Sequence, residues 1–336
     1  MGKEKIENPK SIRRKRARAM AFYELKRRMR ALLPIPEQRI RKVTFHQRQK
    51  LFAWKMLIIP LLNFLVFYVY VNLDALTMAF RNRDYSVGGT EYWTLSNFGK
   101  ILELFTDGNM LLFGRNTMMF WMLATVWAIP HSILLTYAFQ KKMAGRKIFR
   151  VLLYIPSIIC SVALAGIFQS FISSNGAVGY LMINVFGASR VPSWFGEAEF
   201  AIGALLFYNF FFGFAGQYIL YSGAMANVDT EITEAAYMDG VTMWQELMYI
   251  DIPLMWPTLS MTIVGSFAGL FGASGPILIF TSNLEKTWTF GYWIFDQVRR
   301  FQSYYLPATL GLCFTVIAFP IAMWVKNTTD KMFTTE

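Results

Sequence analysis

Six stretches of this 336-residue chain are long, apolar and nearly free of charge, and nothing else in the sequence constrains its fold as much. A bilayer core of about 30 Å takes roughly 20 apolar residues in a helix rising about 1.5 Å per residue. Windows at about 51–73, 116–139, 149–172, 200–223, 255–281 and 305–325 meet that length. Lys55 stands near the start of the first window, placed to snorkel, and Arg150 stands at the entry of the third; the windows hold no other Asp, Glu, Lys or Arg. Prolines 60, 130, 156, 276 and 320 fall inside them, where neighbouring helices re-satisfy the freed backbone groups. Only 16% of residues are charged, against about 25% in soluble domains, and 55% are hydrophobic. The fold class expected is therefore an all-α membrane protein with six transmembrane helices.

Charge orients those helices. The net charge of +12 does not point to nucleic acid, because 17 of the 33 Lys+Arg lie in residues 1–50, before the first apolar run. This arm carries Arg13–Arg16 and Lys26–Arg28, with Phe22, Leu25, Met29 and Leu32 at roughly helical spacing, until Pro34 and Pro36 break it. It reads as a basic amphipathic helix on anionic lipid headgroups. It is too long for the n-region of a signal peptide, so the first window is expected to be an uncleaved anchor. Placing the arm, Lys55, the 140–150 turn, residues 224–254 and the tail 326–336 on one side gathers 25 Lys+Arg there and leaves eight opposite. The positive-inside rule then puts both termini in the cytoplasm. Cys160 and Cys313 both sit in apolar runs and give no disulfide framework.

Residues 224–254 break the basic pattern: they hold no Lys or Arg, but six acids, Asp229, Glu231, Glu234, Asp239, Glu246 and Asp251. Asp229 or Thr230 is placed to N-cap a short helix carrying Ile232, Ala235, Ala236 and Met238, and Gly240 to end it. A second amphipathic piece with Trp244, Leu247 and Met248 runs to Ile250 and is expected to stop at Pro253. Glu234-Ala235-Ala236, three residues, Gly240, nine residues, then Ile250-Asp251-Ile252-Pro253 resembles the EAA loop of permease subunits in binding-protein-dependent ABC importers. The resemblance covers most of residues 60–325 and points to the carbohydrate (maltose-type) branch. It is carried by Thr94–Phe98, Asn116-Thr117, the stretch from Arg150 through Tyr154-Ile155-Pro156 to Gly166-Ile167-Phe168, and Ser274-Gly275-Pro276. Thr94, Phe168 and Ile252 depart from the usual Gly, Trp and Leu.

The resemblance implies the type I importer permease fold, with the EAA helix docked in a groove of a separate cytoplasmic ATPase. It assigns ATPase coupling to Glu234, Ala235, Ala236, Asp239, Gly240, Ile250 and Pro253: Glu234 meets a basic group, the alanines give clearance, and Gly240 makes the turn. A loop of net charge −6 suits a basic groove. The chain has no phosphate-cradling loop, since Gly99-Lys100 is followed by Ile101 and lacks its first glycine. ATP and Mg are thus expected on the partner, and neither a cofactor nor a metal on this chain. The other implied partners are a second permease subunit, an extracytoplasmic solute-binding protein and the lipid of a bacterial or archaeal cell membrane.

His131 is the only candidate within a span for an ion or proton pathway, and it suits an interhelical hydrogen bond better than a proton relay. An uncharged path fits a neutral, hydroxyl-rich solute held by amides, hydroxyls and aromatic faces. Tyr208, Asn209, Phe212, Gly213, Gly216 and Gln217 before the loop, and Ser266, Phe271 and Ser274 after it, are the candidate pathway residues. Helix packing by small and polar residues is the competing explanation for each. A sugar or oligosaccharide is the expected cargo. The alternatives are an ABC permease for another small solute, such as an amino acid or metal, a stand-alone secondary carrier or channel, and a membrane-embedded enzyme.

Overall fold

The computed structural model describes residues 45–84, 89–106, 108–141, 145–281 and 283–333, with Met20, Glu24 and Arg28. The rest of the basic arm, including Arg13–Arg16, Phe22, Leu25, Met29, Leu32, Pro34 and Pro36, lies outside the described residues. The chain forms two units, 1–71 and 72–336. In the first, helix Phe45–Asn63 continues through a π-helical turn, Phe64–Tyr70. Its apolar side chains stand exposed all round, as a lipid-facing helix requires.

Among the described residues, five helices are long and apolar enough to cross a membrane: Gln49–Met78, Asn109–Gln140, Ser161–Asn184, Ala198–Ala226 and Tyr305–Met332. A sixth exists only as a pair, Met243–Leu254 and Trp256–Ala268, bent by 74°. The third and fifth windows of the sequence are not single helices. Extended backbone at Ile159 and Cys160 separates helix Arg146–Ile158 from Ser161–Ile172. Pro156 lies inside the first of these helices, which continues past it to Ile158, so the proline does not itself mark the break. Arg146–Ile158 buries none of its side chains and mixes Arg146, Lys147 and Arg150 with exposed aliphatics, the pattern of a helix lying at an interface. The fifth window stays helical to Ala268, turns through Leu270–Gly272, runs extended at Ala273 and resumes at Ile277–Phe280.

In the second unit a hairpin of Arg81–Asp84 and Thr90–Trp93 pairs Arg81 opposite Trp93. Glu91 lies 3.6 Å from both Arg81 and Arg83. Asn97, fully buried, donates to the Arg81 carbonyl at 2.7 Å and so pins the hairpin to helix Ser96–Thr106. Asn116, also fully buried, donates to the carbonyls of Lys286 and Trp288, both at 2.9 Å. Thr117 Oγ1 accepts the Phe290 amide at 3.0 Å. Thus Asn97, Asn116 and Thr117 are tertiary anchors, each satisfying backbone that a buried loop would otherwise leave unpaired.

Candidate functional site

The acidic loop folds into two capped helices. The Asp229 carboxylate accepts the Glu231 amide at 3.0 Å and caps helix Thr230–Met238. At the other end Gly240 adopts φ 78°, its amide donates to the Tyr237 carbonyl, and the Val241 amide donates to that of Ala236, both at 3.1 Å. Those two bonds define a Schellman stop, and the left-handed φ is why glycine sits there. Thr242 then opens the next helix through a reciprocal capping box with Gln245.

This second helix does not stop at Pro253. It passes through a π-helical turn, Leu247–Asp251, and ends only after Leu254. The Ile252 amide bonds back to Leu247 across the wider turn, so the ladder is already shifted where Pro253 has no amide to give. The bend to Trp256–Ala268 follows at Met255.

Helix Thr230–Met238 buries none of its side chains. Glu234, Ala235, Asp239 and Gly240 are exposed, while Ala236, Ile250 and Pro253 are half-buried. Met238 is 87% exposed, Tyr249 78% and Trp244 59%, so large apolar side chains as well as acids stand exposed on this loop. The uniform −6 surface does not form. Glu246 is 1% and Asp251 5% exposed, so only Asp229, Glu231, Glu234 and Asp239 face outward. One of the two inward carboxylates, Glu246, is met there by a lysine.

That lysine is Lys141, the first residue after the second span. Its Nζ donates to Glu246 Oε1 at 2.5 Å and to the Tyr237 hydroxyl at 2.7 Å. Its ammonium sits 4.8 Å from the Tyr137 ring and 5.2 Å from the Tyr237 ring. The Tyr237 hydroxyl donates to Glu246 Oε2 at 2.8 Å, and the Tyr137 hydroxyl lies 2.9 Å from the same oxygen and 2.7 Å from the Met243 carbonyl. Burial opposes the charge on Lys141, but the contacts with Glu246 and Tyr237 outweigh it and raise the lysine pKa. Gln140 Nε2 adds a bond to the Met225 carbonyl at 2.7 Å. Beside this cluster a cavity of about 620 Å³ is lined by Glu234, Tyr237, Glu246 and Asp251 together with Lys141 and Gln140. Among the described residues no donor reaches the Asp251 carboxylate. None of Lys141, Tyr137, Tyr237 or Glu246 stands out in the sequence as a site residue; Lys141 and Glu246 are 105 positions apart.

The candidate pathway residues divide into several settings. Tyr208 is buried and packs with Phe212, Phe168 and Phe280, at centroid distances of 5.1, 5.1 and 5.3 Å. Asn209 Nδ2 donates to the Leu205 carbonyl of its own helix at 2.9 Å, and a Cβ on Gly275 would come within 3.0 Å of it. Gly213 lies at a one-turn irregularity between Ala198–Phe212 and Ala215–Ala226, which together make one span. Gly216 faces open space, and Gln217 Nε2 reaches the Ala124 carbonyl at 3.4 Å. Ser266 Oγ donates to the Ile263 carbonyl, and Ser274 meets Thr289 Oγ1 at 3.2 Å. Phe271 stands apart, stacked on Phe314 at 4.3 Å in a different cluster. His131 stacks on Trp127 at 5.0 Å and meets the edge of Phe214 at 4.6 Å, with Nδ1 buried and unpaired. It is an aromatic packing residue, and the expected interhelical hydrogen bond is not formed. No group of three or more His, Cys, Asp or Glu that would hold a metal occurs among the described residues.

Residues 128–329 match the family described as binding-protein-dependent transport system inner membrane component. The multiple sugar-binding transport system permease protein MsmF of Streptococcus mutans is 25% identical over 291 residues, 85% of this chain and 97% of MsmF. The galactooligosaccharides transport system permease protein GanP of Bacillus subtilis is 25% identical over 198 residues, 55% of this chain and 46% of GanP. The maltose/maltodextrin permease protein MalF of Vibrio vulnificus is 29% identical over 154 residues, 45% of this chain and 29% of MalF. The chain therefore spans under half the length of GanP and of MalF. In fold it is similar to a chain of a bacterial ABC transporter that imports the acidic polysaccharide alginate, with a TM-score of 0.71 at 20% identity, covering 85% of this chain and 97% of that one.

Proposed function

This chain belongs to the family of binding-protein-dependent transport system inner membrane components, and from that premise we propose that it is one transmembrane subunit of an ATP-driven importer for a sugar or oligosaccharide. It forms half of the translocation pathway and performs no covalent chemistry. An extracytoplasmic binding protein delivers the solute, a second permease supplies the other half of the path, and a separate ATPase carries ATP and Mg. Both termini and the acidic loop face the cytoplasm of a bacterial or archaeal cell.

One observation carries this reading: a helix capped at both ends, Thr230–Met238, that buries no side chain and turns Glu234 and Ala235 outward. A helix so fully capped yet so little packed is stabilised locally for use elsewhere. Glu234 is assigned the contact to a basic group of the ATPase, Ala235 and Ala236 the clearance, and Asp239 and Gly240 the turn. Ile250 and Pro253 seat the second loop helix at the bend. Sugar is favoured as cargo by the relatives named for sugars and by a pathway set without charge. Tyr208, Asn209, Phe212, Gly213, Gly216, Gln217, Ser266 and Ser274 remain the lining residues, and the stacking of Phe271 on Phe314 makes it a support.

The test is to purify the tagged chain from its native host, as wild type and as Glu234→Lys. An ATPase and a second permease are expected with the wild type, and recovery of the ATPase with the variant is expected to fall about tenfold or more, the scale of a reversed charge at a docked contact. Wild-type protein that came out alone, and moved solute into vesicles without ATP, would establish the stand-alone carrier instead.

A further inference from the structure

We propose that Lys141, Glu246, Tyr237 and Tyr137 form the joint through which movement of helix Thr230–Met238 reaches the second span. This rests on the importer reading above and adds the element that transmits the motion. The helix offers no buried face, so its hold on the body comes from its two ends and from the Tyr237 hydroxyl. That hydroxyl meets Glu246 and Lys141 in one cluster, and Lys141 with Tyr137 belongs to the end of the second span. Glu246 is 1% exposed, accepts from Lys141 and Tyr237, and shares the single Tyr137 hydroxyl proton with the Met243 carbonyl.

Such a cluster is directional where apolar packing is not. A buried ion pair with its remaining lone pairs filled resists sliding, because any slip leaves a desolvated charge unpaired. Displacing the loop helix therefore drags Lys141 and Tyr137, and with them the helix Ala128–Gln140 that precedes Lys141. Tyr137 also holds the start of the second loop helix through the Met243 carbonyl, so both loop helices load the same span. Lys141 and Tyr137 are positioning residues in this account, since neither is placed against solute or ATPase.

The whole complex, purified and reconstituted in vesicles, tests the proposal through the solute moved per ATP hydrolysed. Lys141→Met and Glu246→Gln are expected to keep their ATPase and hydrolyse ATP, yet to move at least tenfold less solute per ATP. The exchange Lys141→Glu with Glu246→Lys is expected to recover to within threefold of wild type. Tyr237→Phe, which spares the ion pair and fits an exposed ring, is expected to fall between. An unchanged ratio in Tyr237→Phe or in either single variant would overturn the joint. So would loss of the ATPase from the singles that the exchange does not restore, because the cluster would then only shape the docking surface. Wild-type complex lacking any ATPase would instead overturn the importer reading, which the recovery measurement reads separately.

Discussion

Glu246 and Asp251 show how little a residue's place in the sequence says about its neighbours. Both belong to a loop that is acidic throughout, and both end up against one cavity with a single lysine between them. Lys141 is bonded to Glu246, so the charge on Asp251 is disfavoured by its burial and then by the Glu246 carboxylate, and Lys141 offsets this only in part. Like charges sharing a buried site destabilise it. Replacing Asp251 by Asn keeps the shape and removes the repulsion. The detergent-solubilised protein is expected to gain about 1 kcal/mol, on the scale of one pKa unit, seen as a higher melting temperature. A melting temperature that fell would show that Asp251 is held by an attractive contact. Gly240 is the opposite case, legible from the sequence because its requirement is local: φ 78° closes the helix whatever surrounds it.

At the scale of elements, the caps of the first loop helix were legible and the breaks in the spans were not. Asp229 and Gly240 follow from residues within a few positions of them, and the Thr242–Gln245 box, equally local, was visible in the structure alone. The fifth span reads as one apolar run, yet its second half leaves the helix at Gly269 and threads past the second span. Gly275 makes that threading sterically possible: a Cβ there would stand 2.6 Å from the Phe120 ring and 3.0 Å from Asn209 Nδ2. Gly275→Ala is expected to cost about 1–3 kcal/mol through overpacking, measured as a loss of thermal stability in detergent. The smaller change Phe120→Leu in the same background is expected to regain part of it. If Gly275→Ala melted like wild type, the close approach at this turn would not hold. Pro253 carries the same lesson. A proline ends a helix only when its missing amide was needed, and the π-helical turn at Leu247–Asp251 has already displaced that bond.

At the scale of the whole molecule, the distribution of basic residues along the sequence gives an expected orientation. Seventeen basic residues precede the first apolar run, and by the positive-inside rule both termini are expected in the cytoplasm. Single cysteines introduced at Gly2 and at Thr335, in a chain with Cys160 and Cys313 replaced by Ser, are expected to be shielded from a membrane-impermeant thiol reagent in intact cells. A cysteine at Ser193, between the third and fourth spans, is expected to be labelled. Labelling of either terminus would reverse the orientation and, with it, the side on which the acidic loop meets a partner.

By itself the sequence determined what depends on short range or on bulk composition. That comprises the number and approximate place of the apolar runs, the capped loop helix with Glu234 outward, and the absence of charge along the candidate pathway. Apolar length, cap chemistry and charge bias each act on a residue and its near neighbours, or on the chain's partition into lipid, so they are written where they are used. The tertiary structure alone decided the 74° bend at Met255, the split at Ile159 and Cys160, the separation of Phe271 from Tyr208, and the burial of Glu246 on Lys141. Each of these depends on a partner far away in the chain or on which of several possible packings fills the same space. A buried carboxylate and the lysine that neutralises it carry no mark of each other until the fold has excluded the water between them.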